Sequence, residues 1–395
     1  MRLRFRPLAP LSLCLLMTAC ASVRTTPGPG GPGPDGGPLP PLPPRDASGA
    51  AAFPPAERDG YRPPARLAVL LPSTGSLAVA GGAVRDGLLA AYYGETRRRP
   101  VITFYDTAGT PSGALSALDR AVAEGAQLVV GPLSRDEVGA VFSRGQPPVP
   151  VIALNRGPAQ PTRGSASFAL APDDEGIAAA ERLVQRGARR VFAFTQRDDN
   201  SQRALVALRA RLRELGGEVV GERNVEESTP ELAAQVAQAV GAAAPTGVFL
   251  ALKAPQARAV VGALRSSPAM AVPRVSTSLV LSGGSERQDA ALDGTEDPEL
   301  PWLLGSGGGL VPPSEVRLSS ARGPSQRLFA FGADAWALVA WYERLWADPG
   351  FSLGGATGRL FVDNRGQVQH APAWAEFSAG RPRLAPRLPE LPPGR

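Results

Sequence analysis

The sequence predicts a two-lobed α/β protein with open parallel sheets, and three observations carry that expectation. Residues 66–95, RLAVLLPSTGSLAVAGGAVRDGLLAAYYGE, read as a buried strand, a Gly/Ser/Thr turn and a helix. The run Leu67-Ala68-Val69-Leu70-Leu71 does not alternate, is short for a helix and is cut by Pro72, as suits a strand covered on both faces. The same unit recurs along the chain, which is the signature of a doubly wound sheet. With 395 residues, 43% of them hydrophobic, there is enough chain for two cores.

The elements follow in order. Residues 1–19 read as a signal peptide: an Arg-bearing start, MRLRFR, then an apolar stretch, LAPLSLCLLMTA, too short to span a bilayer. It ends in Met17-Thr18-Ala19-Cys20, which resembles the lipobox of bacterial lipoproteins. That resemblance implies lipidation of Cys20, a membrane anchor and, with Ala21 next, the outer membrane facing the periplasm. Cys14 lies in the discarded part, so no internal disulfide is expected. Residues 20–64 are dominated by Pro and Gly, cannot bury a core, and read as a disordered linker.

The folded body opens with the unit at 66–95. Strands are expected at 101–105, 127–130 and 149–154, with helices at 79–98, 112–124 and up to about 143. Thr74, Asp106 and Ser134 fall just past strand ends, where open α/β sheets bind ligands. With Ser73 they form the candidate ligand-binding cleft. The turn Ser73-Thr74-Gly75-Ser76 has two readings, an anion site at a helix start or simple capping.

A pause in Gly and Pro at 155–165 marks a lobe crossing. A second round of units follows, with strands at 167–170, 191–195, 218–225, 247–252 and 274–278 alternating with helices. Asp173-Asp174-Glu175 suits a helix N-terminus. Residues 281–324, rich in Gly, Ser and Pro, read as a long surface loop. Gly305-Ser306-Gly307-Gly308-Gly309 is not a phosphate-binding loop, because no Gly-Lys-Ser/Thr follows. At 326–347, Leu328, Phe331, Ala335, Leu338, Val339, Tyr342 and Trp346 recur at helical spacing and point to core packing. Short strands at 359–362 and 368–370 flank the turn Asp363-Asn364-Arg365-Gly366. The expected partition is 65–166 and 279–350 for the first lobe, 167–278 and 351–380 for the second, and a frayed tail at 381–395.

Composition narrows the chemistry. The formal charge of +6 falls to about +3 without Arg2, Arg4 and Arg6, and Lys253 is the single Lys, so nucleic acid is not an expected partner. One His, His370, and no Cys beyond Cys20 leave no His-based triad, no Cys or His zinc cluster and no cysteine nucleophile in the body. No nucleophile–base pairing is readable. The expectation is a protein without catalytic residues, metal or cofactor.

The segments LAVLLPSTGSLAVAGGAVRDGLLAAYY, FYDTAG, AEGAQLVVGPLSRDEV, VPVIALN, FALAPDDE, FAFGADAWALV and GATGRLFVDNRGQV, spanning residues 66–380, together resemble the penicillin-binding protein activator lipoproteins, the LpoA (LppC) family. The resemblance implies a type I periplasmic-binding fold, two Rossmann-like lobes joined by three crossings. It also implies a non-enzymatic lipoprotein that binds and stimulates a class A penicillin-binding protein in peptidoglycan synthesis. Enteric members carry a large helical domain ahead of this body, where this sequence has its Pro/Gly stretch. The alternative is a periplasmic solute-binding lipoprotein or sensor clamping a small ligand, such as an amino acid, through Ser73, Thr74 and Ser134. Amino-acid receptors of this fold usually place an acid after a late strand of the second lobe, whereas here 247–252 runs into Lys253 and Ala254.

Overall fold

The structure is a computed structural model and describes residues 53–281, 285–307, 309–348 and 350–389. The signal peptide at 1–19, Cys20 and the linker up to residue 52 lie outside the described residues.

The alternation expected from the apolar runs is present. In chain order come β1 (Arg66–Leu71), α1 (Ala78–Gly94), β2 (Val101–Asp106), α2 (Pro111–Ala123), β3 (Leu128–Val130), α3 (Arg135–Ser143), β4 (Val151–Ala153) and β5 (Ala166–Phe168). Then follow α4 (Pro172–Gln185), β6 (Arg190–Thr195), α5 (Asp199–Glu214), β7 (Glu218–Asn224), α6 (Leu232–Ala243), β8 (Gly247–Ala251), α7 (Ala254–Leu264) and β9 (Arg274–Ser276). After the short α8 (Glu286–Asp289) come β10 (Thr295–Glu299) and the long α9 (Gln326–Ala347). The chain closes with β11 (Leu353–Gly354), β12 (Arg359–Val362), β13 (Gln367–Ala371), β14 (Ala373–Ser378) and β15 (Arg381–Leu384).

Two sheets result, one per lobe. The first has eight strands in the order β11-β12-β13-β5-β4-β3-β1-β2, the second seven in the order β15-β14-β10-β9-β8-β6-β7. Both are parallel in their middle and antiparallel at the end built from the C-terminal strands. The fold is therefore the two-lobed type I periplasmic-binding architecture. Continuous apolar runs such as Leu67–Leu71 and Val248–Leu252 are buried from both faces by helices, which is why they do not alternate.

The first lobe is organised by α9. Phe331, Ala335, Leu338, Val339 and Tyr342 are buried as their spacing requires, while Leu328 and Trp346 sit half-buried at the margin of the same core. Against it lies α1, and the two helices meet through small residues. A Cβ at Gly332 would run into the Val84 carbonyl oxygen, and one at Gly87 into the Phe329 carbonyl oxygen. Backbone therefore packs on backbone at this crossing.

Three expectations are corrected by the sheet pairings. The segment at 281–324 is not loop throughout, because Thr295–Glu299 is a fully buried strand between β9 and β14. Its acidic residues and Pro298 hide it from any apolar pattern. The lobe boundaries also move. β5 pairs with β4 and β13, so the first crossing follows residue 168; β10 places the second after residue 299; and β11–β13 pair within the first sheet, so the third is at Pro372. Pairing across some 200 residues decides this, and local sequence carries no trace of it. Finally, β15 occupies residues assigned to a frayed tail, because Arg381–Leu384 pairs with Ala375–Ser378.

The linker also ends earlier than residue 64. Tyr61 is fully buried and its hydroxyl donates to the Arg98 carbonyl at 2.8 Å, with the Arg97 guanidinium 3.7 Å over its ring. The Arg62 N–H donates to the Ala340 carbonyl at 2.9 Å, and its guanidinium pairs with Glu343 and donates to the carbonyls of Phe53 and Pro54. One aromatic and one guanidinium thus dock 53–64 against α9.

Candidate functional site

The three crossings, at 169–171, 300 and 372, bring both lobes to one hinge, and the strand ends of the first lobe face a cleft. That cleft encloses about 650 Å³ and is lined by Leu77, Leu133, Ser134, Arg135, Asn155 and Leu328 from the first lobe and by Asp199 from the second. Arg135 and Asp199 form an ion pair across it at 3.3 Å.

The candidate residues do not converge on that space as one set. Ser73, Thr74 and Asp106 come together, but they bind one another. The Asp106 carboxylate accepts from the N–H groups of Ser73 at 2.8 Å and Ala108 at 2.9 Å, and from the Thr74 hydroxyl at 2.6 Å. These donors, the Thr74 hydroxyl first, hold its carboxyl well below the usual carboxylate range. An internal carboxylate thus occupies the donors that a ligand carboxylate would need. The turn's hydroxyls do not cap α1 either, because the residue at its N-cap is Leu77, with no side-chain cap bond.

Ser134 does line the cleft, but its hydroxyl is engaged. It accepts the Glu137 N–H while the Glu137 carboxylate accepts the Ser134 N–H, a complete capping box at the start of α3. The spacing Ser134-Arg135-Asp136-Glu137 is the sequence signal for that role. At the end of β8 no acid is present, and the Lys253 N–H donates to the Gln196 side chain at 2.9 Å. Branched-chain amino acids at ~1 mM are therefore expected to raise the thermal midpoint by less than about 1 °C, whereas a ligand of ~10 μM Kd would add roughly 2.7 kcal/mol at that concentration. Differential scanning fluorimetry distinguishes the two.

The hinge holds what sequence reading missed. Arg327, at the start of α9, pairs with Glu299 at 2.5 Å and with Glu175 at 3.3 Å. Glu175 in turn accepts from the Ser278 N–H at 2.9 Å. Burial raises the Glu299 carboxyl, and raises still further that of Asp297, whose two oxygens are buried with no hydrogen-bond partner. On the other face of the strand Glu296 pairs with Arg182 and Arg186. A cavity of about 340 Å³ beside the hinge is lined by Glu175, Arg182, Arg327, His370 and Trp374. Glu175, Glu299 and Arg327 are far apart in sequence; the acidic runs Asp173-Asp174-Glu175 and Glu296-Asp297-Pro298-Glu299 are visible, but nothing in the sequence joins them to each other or to Arg327. Glu175, Glu296 and Glu299 pair with Arg182, Arg186 and Arg327 as structural ions, and Asp297, alone of these acids, is left without a partner in the sheet. Among the described residues no group of three or more His, Cys, Asp or Glu is placed to hold a metal ion.

A family described as "LppC putative lipoprotein" matches residues 60–380. The chain is similar to the protein named penicillin-binding protein activator LpoA in Mannheimia succiniciproducens, 26% identical over 324 residues, covering 80% of this chain and 54% of that protein. It spans about half the length of the curated relatives it matches. In architecture it is similar to the LpoA C-domain of Haemophilus influenzae, titled a regulator of PBP1A, with a TM-score of 0.66, 21% identity and coverage of 81% of this chain and 99% of that one. It is also similar to "a putative branched-chain amino acid ABC transporter" from Chromobacterium violaceum, with a TM-score of 0.64, 25% identity and coverage of 79% and 99%.

Proposed function

The chain belongs to the LppC lipoprotein family, and from that premise we propose that it is an outer-membrane lipoprotein, anchored through Cys20, that binds and activates a class A penicillin-binding protein and so regulates peptidoglycan synthesis. The supporting observation is the extent of the family match, residues 60–380, which takes in both lobes, all three crossings and the docked segment around Tyr61. The relatives named for this activity align with 71–80% of this chain. The self-filled donor set at Ser73, Thr74 and Asp106 favours this reading over a solute clamp.

An activator of this kind works without chemistry of its own. It shifts the synthase between states only by binding one of them more tightly, and a coupling of 1–3 kcal/mol corresponds to roughly 5- to 150-fold. Two lobes on an ion-paired hinge offer a broad, shaped surface for that discrimination.

The test is reconstitution. Adding the purified chain to the class A synthase of the same envelope is expected to raise glycan polymerisation and peptide crosslinking by roughly fivefold or more at saturation. Unchanged rates, with no binding by surface plasmon resonance, would overturn the proposal.

A further inference from the structure

Sheet edges are sites where one chain can pair with another, and proteins usually blunt them. Three of the four edges here are blunted. β11 has only two residues, β15 carries Pro382 between Arg381 and Arg383, and β7 carries Glu218, Glu222 and Arg223 with a register break opposite Val191 and Phe192. The fourth, β2, is not blunted.

β2 reads Val101-Ile102-Thr103-Phe104-Tyr105-Asp106, pairs with β1 in unbroken register, and has no charge before Asp106 and no Pro or Gly. Val101 is 67% exposed, Phe104 is 39% exposed, and Thr103 is exposed too. The N–H groups of Val101 and Thr107 donate inward to Ala65 and Leu71. Alternation along the strand therefore turns the N–H and C=O groups of Ile102 and Phe104 outward.

We propose that β2 is an interface between two copies of this chain, joined antiparallel about a two-fold axis through Thr103, so that the two eight-stranded sheets become continuous. The strand is self-complementary in that register. Ile102 of one copy lies opposite Phe104 of the other, and both present outward polar groups, so the two symmetric pairs exchange four N–H···O=C bonds. Thr103 faces its own equivalent in the non-hydrogen-bonded position, and Val101 lies opposite Tyr105. Charge agrees as well: the strand follows Arg97-Arg98-Arg99 and ends in Asp106, so antiparallel pairing sets the cationic entry of one copy beside the anionic exit of the other. Arg99 is already held there, stacked 4.9 Å from the Tyr92 ring. This inference stands apart from the synthase reading, since it needs no other protein.

The test is sedimentation of the full chain in detergent between ~1 and ~100 μM, the range of a weak, reversible pair. The wild type is expected to pass from monomer to dimer. Thr103→Lys and Thr103→Glu each place like charges opposite one another and should weaken the dimer at least about tenfold, while a one-to-one mixture of the two restores it. Phe104→Pro removes one outward N–H without touching the bonds to β1, and should also be monomeric with an unchanged circular dichroism spectrum. A wild type that stays monomeric at ~100 μM, a dimer that Thr103→Lys leaves intact, or a mixture that stays monomeric would each overturn the proposal.

Discussion

Gly332→Ala is expected to cost about 3 kcal/mol, the upper end of the usual overpacking cost, read as a lower denaturant midpoint with unchanged slope. The cause is geometric. The added Cβ would meet the Val84 carbonyl oxygen, which is locked in the α1 hydrogen-bond ladder and cannot rotate away as a side chain could. The helices must move apart, and the layer of Val84, Leu88, Phe331 and Ala335 between them and the sheet loses contact. Gly87→Ala should behave alike, because its Cβ would meet the Phe329 carbonyl. Gly82, also in α1, is the control: nothing lies within 4 Å of its added Cβ, so Gly82→Ala should stabilise by roughly 0.5–1 kcal/mol. Equal effects at Gly82 and Gly332 would rule out the close crossing.

Asp334→Ala should be at least as severe, about 3–5 kcal/mol, because three buried donors lose their acceptor. Asp334 on α9 is buried, and its carboxylate accepts the Ala356 N–H at 2.6 Å, the Thr357 N–H at 2.7 Å and the Thr357 hydroxyl at 2.5 Å. It thereby holds the turn that leads into β12. Removing it strands three buried donors, and each such loss is costly. Burial raises its carboxyl to about 6, with the bonds from Thr357 and Ala356 pulling the other way. A folded-state pKa above the unfolded one gives stability that is complete below about pH 4 and lost as pH rises through about 6. Relative to Asp334→Asn, which does not titrate, the wild type should lose about 2 kcal/mol between pH 4 and pH 7, measured by chemical denaturation at each pH. A flat difference would show that the site is open to water.

The strands and helices that sequence patterns reveal are those whose burial is symmetrical. β1, β6 and β8 are continuous apolar runs, and α9 repeats its apolar face for 22 residues, so each declares itself locally. β10 does not, because a strand of Thr, Glu, Asp, Pro and Glu is tolerable in a sheet only when Arg182, Arg186 and Arg327, from other elements, come to neutralise it. The lobe of the C-terminal strands was hidden for a related reason. Nothing near Gln367 and Val368 reveals pairing with Ser167 and Phe168. At the site, Ser73, Thr74 and Asp106 were legible as strand-end residues, but their mutual engagement was not, since Asp106 reaches back across the β1–β2 pair. The role of Ser134 was open to reading through Glu137, three positions on.

The docking of residues 53–64 has a mechanical consequence. Tension transmitted along the leading chain reaches the body at Tyr61 and Arg62, and from there passes into the middle of α9 through Ala340 and Glu343. The load enters the first lobe, and the second lobe lies off that path, reached through the three crossings and through ion pairs such as those of Arg135 and Arg327.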